Sequence, residues 1–275
     1  MLDQETVRQI ISRIPLDDGV FLAGGQALNF WAEHYAERAP ELQHYGPFTS
    51  KDVDFFGRYQ AAEKLAQALG GFVEKPAANS PENFVEAIVV VRGSDGDEVR
   101  IDFLNYVLGT NPDDLEKRRV ELRPGVLREG QVVGQLHVPI MHPFHVLQSR
   151  IANVIKLDTR STNVSTRQRQ ARAAPIILRE YVRDRAAAGQ ADEVRGILEH
   201  LYHWLRKHQF GQNVRPHVDY DPLEILLDHR ASRMLDERWL EHNLARWIED
   251  IVSYRQGLDK RRSWVAERLK NLGIG

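Results

Sequence analysis

The sequence predicts an α+β protein in which a mixed β-sheet with flanking helices is followed by an α-helical C-terminal domain. In residues 1–141, short apolar stretches of strand length alternate with amphipathic helical periods. The same region contains one long hairpin pattern. Residues 142–275 show helical periods alone. We therefore place a domain boundary near residue 141.

The first part of the chain reads helix, strand, helix, strand, helix. The short strands are apolar, and the helices repeat apolar residues at a spacing of three and four. Gly24-Gly25 ends the first strand, and Gly70-Gly71 ends the third helix. The five stretches are "VRQIISRI", "GVFLAGG", "QALNFWAEHYAE", "DVDFF" and "AAEKLAQALGG".

Two further strand regions follow. A turn at 93–96 separates two apolar runs and predicts a hairpin in "FVEAIVVVRGSDGDEVRIDFLNYV". The stretch "GVLREGQVVGQLHVPIM" predicts additional short strands. Together these runs supply enough strands for a mixed sheet.

The second part of the chain predicts helices. Pro143 suits a first helical turn in "PFHVLQSRIANVIKL". Pro175 predicts a kink or break in the next helix. Asp219 and Asp221 precede a proline and a helix, which favours capping and turn formation. Long amphipathic helices follow to the end of the chain.

Composition and charge narrow the function classes. The chain has 275 residues, a net charge of −2 and no cysteine, which excludes disulfides, thiolate metal sites and a cysteine nucleophile. No apolar run has the length of a membrane span and no secretory signal is evident, so the sequence predicts a cytoplasmic protein without a membrane partner. Residues 1–141 carry 14 basic and 22 acidic groups, and residues 142–209 carry 12 and 6. This asymmetry fits a cation site beside a polyanion surface, or two solvated surfaces of opposite sign.

Acidic residues flanked by apolar residues are the main chemical signal. Asp52 and Asp54 are two residues apart in a predicted strand, so both side chains project to one face. Two such carboxylates repel each other unless a cation is present, and Mg²⁺ prefers hard oxygen ligands. Asp102 lies between Ile101 and Phe103 in a second strand. If the two strands are neighbours, three carboxylates meet over one sheet face.

The glycines provide a second signal. Gly24 and Gly25 lie between a strand and a helix in "FLAGGQALNFW". Glycine allows a tight turn and a close backbone approach, and a helix N-terminus attracts phosphate. A phosphate cradle combined with strand carboxylates is a set suited to metal-dependent phosphoryl chemistry.

The motifs "FLAGGQAL", "TSKDVDFF" and "VRIDFL" resemble the nucleotidyltransferase superfamily related to DNA polymerase β. The pattern is most similar to the AbiEii-type branch, which is known from bacterial toxin–antitoxin and phage-abortive systems. The resemblance covers roughly residues 18–106. It implies a nucleotidyltransferase-like sheet, an NTP substrate such as ATP, and two Mg²⁺ ions.

The resemblance also implies roles for individual residues. Gly24 and Gly25 would hold the nucleotide phosphates, Asp52 and Asp54 would bind the metal ions, and Asp102 would act as a metal ligand or as a base. Three residues before the acids would contact phosphate, and a turn or capping role is equally open for the first two: Thr49, Ser50 and Lys51.

The helical half supplies candidates for completing the nucleotide pocket. Superfamily members often use polar residues of the helical domain for this purpose, which singles out Arg150 and Asn153. A solvated helix face, with arginine stems covering apolar surface, is the alternative interpretation. The basic segment also suits RNA phosphates, although it lacks accompanying aromatic residues. No DNA-reading motif is evident.

These observations predict Mg²⁺-dependent transfer of an NMP from an NTP to a hydroxyl of RNA, protein or a small molecule. The resemblance adds the hypothesis of a toxin–antitoxin or phage-defence system with a cognate partner. Two alternatives remain: a small-molecule adenylyltransferase of the antibiotic-modifying type, and a non-catalytic nucleotide- or partner-binding module.

Overall fold

The chain folds into an α+β structure with a mixed sheet, as the sequence predicts. The computed structural model describes residues 4–14, 19–47, 53–76, 84–92, 98–123, 125–128, 131–157 and 164–271. Within these residues, no helix combines the length and the apolar character that crossing a membrane requires.

The strands have the following bounds: β1 Phe21–Leu22, β2 Val53–Phe56, β3 Phe72–Glu74, β4 Val85–Arg92, β5 Glu98–Leu104, β6 Val120–Leu122, β7 Gly125–Arg128, β8 Gln131–Gln135 and β9 Val138–Ile140. The main sheet has the order β3-β4-β5-β2-β1-β9-β6, and β7 pairs with β8 separately. β4 and β5 form the predicted antiparallel hairpin. β2 lies parallel to β5 and antiparallel to β1.

The helices of the first half are α1 Gln4–Ile11, α2 Gly24–Tyr35, α3 Tyr59–Leu69 and α4 Pro112–Lys117. A 3₁₀ helix spans Pro40–Tyr45. The predicted glycine stop of α3 is present, since Gly70 has a φ of 68° in the left-handed region.

The helices that follow are α5 Pro143–Lys156, α6 Val164–Ala187, α7 Ala191–Lys207, α8 Gln209–Gln212, α9 Leu223–Asp228, α10 Glu237–Trp239 and α11 Ala245–Asn271. Arg215–His217 is a 3₁₀ turn, and a π-helical segment, Leu240–Leu244, joins α10 to α11. Pro143 lies in the first turn of α5, as predicted. Of the kink or break predicted at Pro175, the break is absent, because α6 continues through that residue.

Alternating burial along β2 and β5 fixes the direction of their side chains. Val53 and Phe55 are fully buried, and so are Ile101 and Phe103. The residues between them are half-buried and belong to the opposite face. On that face, the ring of Phe56 stacks on Phe21 with centroids 5.0 Å apart. The apolar face therefore anchors both strands and leaves their acids on the other side.

Two compact units are present, Met1–Glu180 and Tyr181–Gly275. The boundary that the sequence places near residue 141 follows the last strand, whereas the units divide after Glu180. Two features keep α5 and most of α6 in the first unit: α5 packs against α2, and Arg179 of α6 forms an ion pair with Glu41. α5 therefore belongs to the core of the first unit, even though its sequence pattern is that of the helical half.

Candidate active site

Two carboxylates lie side by side on the main sheet. β2 and β5 are parallel neighbours, and Asp54 is in register with Asp102. Adjacent strands are separated by about 4.8 Å, and paired residues project to the same face. Both residues are half-buried. The predicted proximity of these two acids is therefore confirmed.

The start of α2 lies against one of these carboxylates. The backbone N–H of Ala23 donates to the backbone carbonyl of Asp54 over 2.8 Å. Gly24, the first residue of the helix, has a φ of +61°. A Cβ at this position would lie 1.8 Å from Oδ2 of Asp54. Glycine is thus required both by the backbone conformation and by the space that the carboxylate occupies.

The N-terminus of α2 has unpaired helical donors. The first helical hydrogen bond is donated by the N–H of Ala27 to Ala23, and Ala23 at the N-cap position provides no side-chain cap. The N–H groups of Gly24, Gly25 and Gln26 therefore have no partner inside the helix. All three residues are buried. Such a terminus attracts anions through its N–H groups and the positive end of the helix dipole.

A buried arginine supplies positive charge near Asp54. Arg150 on α5 is 7% exposed; its Nη1 donates to Oε1 of Gln170 over 3.1 Å and its Nη2 to Oγ of Ser149 over 3.0 Å. Its Nε is buried and has no hydrogen-bond partner among the described residues. Burial lowers the pKa of the Arg150 guanidinium, and the negative charge of Asp54 opposes this shift. Arg150 is thus electrostatically coupled to Asp54.

The remaining predicted residues divide into two groups. Asn153 lies one helical turn beyond Arg150 and is half-buried, but within the described part of the chain its side chain makes no hydrogen bond that joins it to this cluster. The other four fall outside the described residues: Thr49, Ser50, Lys51 and Asp52. The structure thus brings together Gly24, Gly25, Asp54, Asp102 and Arg150.

Gln170 and Ser149 orient the guanidinium of Arg150 and were not predicted to do so. Ser149 has the helical spacing of a polar face, yet it is 1% exposed. Gln170 lies in a basic, polar stretch whose composition indicates a solvated helix. The hydrogen bond between Arg150 and Gln170 joins α5 to α6 across 20 residues. The spacing of residues in the sequence does not predict a contact between two separate helices.

The described donors suit a Mg²⁺ ion that also contacts phosphate. No group of three or more metal-binding His, Cys, Asp or Glu side chains occurs within the described residues. Mg²⁺ is commonly held by one or two carboxylates, with substrate phosphate oxygens and water completing its octahedral shell. Asp54 and Asp102 provide such a pair, and the carboxylate of Asp54 lies against Gly24 at the start of α2.

The chain was compared with protein-family models, with curated proteins and with solved structures. None of the three comparisons finds a significant match. A functional assignment therefore depends on the geometry of the candidate site.

Proposed function

We propose that this protein is a Mg²⁺-dependent nucleotidyltransferase that moves an NMP from an NTP to a hydroxyl. The observation that supports the proposal most is the register of Asp54 and Asp102 beside the uncapped start of α2. Carboxylates for a metal and N–H donors for phosphate are the two components that such a reaction needs.

Each residue has a distinct proposed task. The N–H groups of Gly24 and Gly25 bind phosphate oxygens of the NTP. Asp54 and Asp102 would hold Mg²⁺, which would neutralise phosphate charge and activate the attacking oxygen. Asp102 would also accept the proton of the acceptor hydroxyl as its oxygen bonds to the α-phosphorus. The bond from that phosphorus to pyrophosphate breaks in the same reaction.

Arg150 has a supporting task in this proposal. Two neighbouring carboxylates in a half-buried site repel each other. The guanidinium of Arg150 offsets part of that repulsion, and its hydrogen bonds to Ser149 and Gln170 keep its position fixed. The positive charge of Arg150 therefore balances part of the negative charge of Asp54.

The direct test measures transfer of label from α-labelled ATP, GTP, CTP and UTP with Mg²⁺. RNA, cell protein and a panel of hydroxyl-bearing small molecules serve as acceptors. We expect Asp54→Asn and Asp102→Asn to lower transfer by more than about a thousandfold, because several kcal/mol of charge stabilisation is lost. Asp113→Asn, the same substitution at an exposed acid of the first unit, should keep activity within about twofold.

Circular dichroism and urea unfolding verify that each variant is folded. Full transfer by the Asp54→Asn/Asp102→Asn double variant would contradict the proposal. Mg²⁺-dependent NTP binding without transfer to any acceptor would instead support a nucleotide-binding module. The acceptor that becomes labelled distinguishes a macromolecule-modifying enzyme from a small-molecule one.

A further inference from the structure

A cleft with several basic side chains lies in the C-terminal unit. A cleft of about 340 Å³ opens between the α8–3₁₀ region and α11. Pro216 and Leu258 form the apolar part of its wall. The charged part consists of three arginines and one acid: Arg215, Arg255, Arg262 and Asp259. All of these residues belong to the unit Tyr181–Gly275. The cleft is therefore independent of the site on the sheet.

Arg255 is held rigidly in this cleft. Its Nη1 and Nη2 donate to Oδ2 and Oδ1 of Asp221 over 2.7 and 3.1 Å. Its side chain is 11% exposed. Oδ1 of Asp221 also accepts from the N–H of Leu223, which confirms the predicted capping role of this acid. A two-pronged pair of this kind fixes the guanidinium plane before any ligand arrives.

The other two arginines are more exposed than Arg255. Arg215 is about half-exposed; its Nη1 lies 3.3 Å from Oδ2 of Asp259, and its Nε lies 4.0 Å from Oδ2 of Asp221. Arg262 donates to the neutral side chain of Asn213 over 3.2 Å, and no carboxylate within the described residues forms an ion pair with it. The positive charge of Arg262 is therefore available to a ligand. The lining as a whole has more basic than acidic groups.

We propose that this arginine cleft binds a phosphate monoester of the size of a nucleoside monophosphate. Guanidinium groups recognise phosphate through paired, charge-assisted N–H donors. Pro216 and Leu258 offer apolar contact to the organic part of the ligand. The volume lies at the lower end of the range for small-molecule sites, which suits one nucleotide.

Isothermal titration calorimetry on the full chain tests this proposal. AMP, GMP, CMP and UMP are titrated in EDTA, and the Asp54→Asn variant serves as a background in which the sheet site is disabled. We expect one bound nucleotide per chain. The corresponding nucleosides, which lack phosphate, should bind at least about tenfold more weakly, the equivalent of one charge-assisted hydrogen bond.

Three substitutions separate this cleft from general surface charge. Arg262→Gln should weaken binding about tenfold or more, whereas Arg261→Gln, an exposed neighbour that does not line the cleft, should change it less than about twofold. Asp259→Asn should tighten binding, because it removes the nearer of the two acids that compete for Arg215.

The opposite results would overturn the proposal. These are the absence of nucleotide binding at millimolar concentration, equal loss in the Arg261→Gln and Arg262→Gln variants, or equal affinity for nucleoside and nucleotide. Because the titrations use EDTA and the Asp54→Asn background, their failure leaves the nucleotidyltransferase proposal unaffected. Failure of the transfer assay likewise leaves the cleft proposal unaffected.

Discussion

Gly24 shows how a single residue can determine the geometry of the candidate site. Its positive φ directs the backbone from β1 into α2, and its missing side chain leaves room for the carboxylate of Asp54. The sequence predicts a turn and a phosphate cradle from Gly24-Gly25. It does not predict that the carboxylate fills the space next to the glycine, because this contact depends on the pairing of β1 with β2.

Gly24→Ala should destabilise the protein more than an ordinary glycine substitution. A left-handed φ alone costs an alanine about 1–2 kcal/mol, and the Cβ at position 24 would also overlap Asp54. Urea unfolding measures the difference. Gly70→Ala is the matched control, since Gly70 has a φ of +68° and nothing within 4 Å of an added Cβ. Equal destabilisation by the two substitutions would contradict a close contact at Gly24.

Arg150 has a setting in the structure that the sequence does not indicate. The resemblance singles it out as a contact for the nucleotide, and a solvated helix face is the alternative interpretation. The structure buries it, satisfies two of its donor groups through Ser149 and Gln170, and couples its charge to Asp54. Helical periodicity identifies which residues share a face. It cannot identify which neighbouring helix covers that face.

At the scale of elements, strands with buried apolar faces were the easiest to predict. The alternation in β2 and β5 is evident in the sequence, and it correctly implies that Asp54 and Asp102 oppose the core. The parallel pairing of β2 with β5 joins residues that are far apart in the sequence. From the sequence alone, it could therefore only be assumed that the two strands are neighbours. α6 continues through Pro175, where local propensity favours a kink or a break. Tertiary packing can override such a preference.

One contact between elements should make stability depend on pH. Asp114 on α4 is 3.1 Å from Nε2 of the fully buried His145 on α5. The hydrogen bond with His145 is the main reason that the pKa of Asp114 lies far below the ordinary value of 3.8; burial opposes this shift, and Arg118 assists it. A carboxyl group with a lowered pKa stabilises the fold above the unfolded-state value, and this contribution is lost as the pH falls below it.

We therefore expect Asp114→Asn to lower the free energy of unfolding at pH 7. The difference from wild type should shrink progressively as the pH is lowered from about 4, where the unfolded carboxyl begins to bind its proton. Urea unfolding across this range measures the effect. Asp113→Asn provides the control on the same helix, because that side chain is exposed. A difference that is constant with pH would show that charge is not responsible.

At the scale of the whole molecule, the chain contains two compact units, and each holds one of the two proposed anion-binding sites. The first has the carboxylate pair and the start of α2, and the second has the arginine cleft. The sequence indicates the first through its motifs. The cleft has no comparable sequence signal. Arg215 precedes Arg255 by 40 residues, and the arginines of the cleft resemble those of any basic helix surface.

Hydrogen exchange measured by mass spectrometry should separate the two features in one molecule. With Mg²⁺ and a non-hydrolysable NTP, we expect slower exchange in peptides covering the start of α2, β2 and β5. The N–H groups at the start of α2 have no helical partners, so a bound phosphate should protect them strongly. With a nucleoside monophosphate in EDTA, we expect protection in peptides that cover 209–217 and 255–262.

Single substitutions should then remove one pattern and preserve the other. Asp54→Asn should abolish the protection that depends on Mg²⁺ and NTP and leave the response to the monophosphate intact. Arg262→Gln should have the opposite effect, because its charge belongs to the cleft and not to the carboxylate pair. If either substitution removed both patterns, the two ligands would share one site or report a common unfolding event. Protection that disappears selectively would instead establish two sites on one chain.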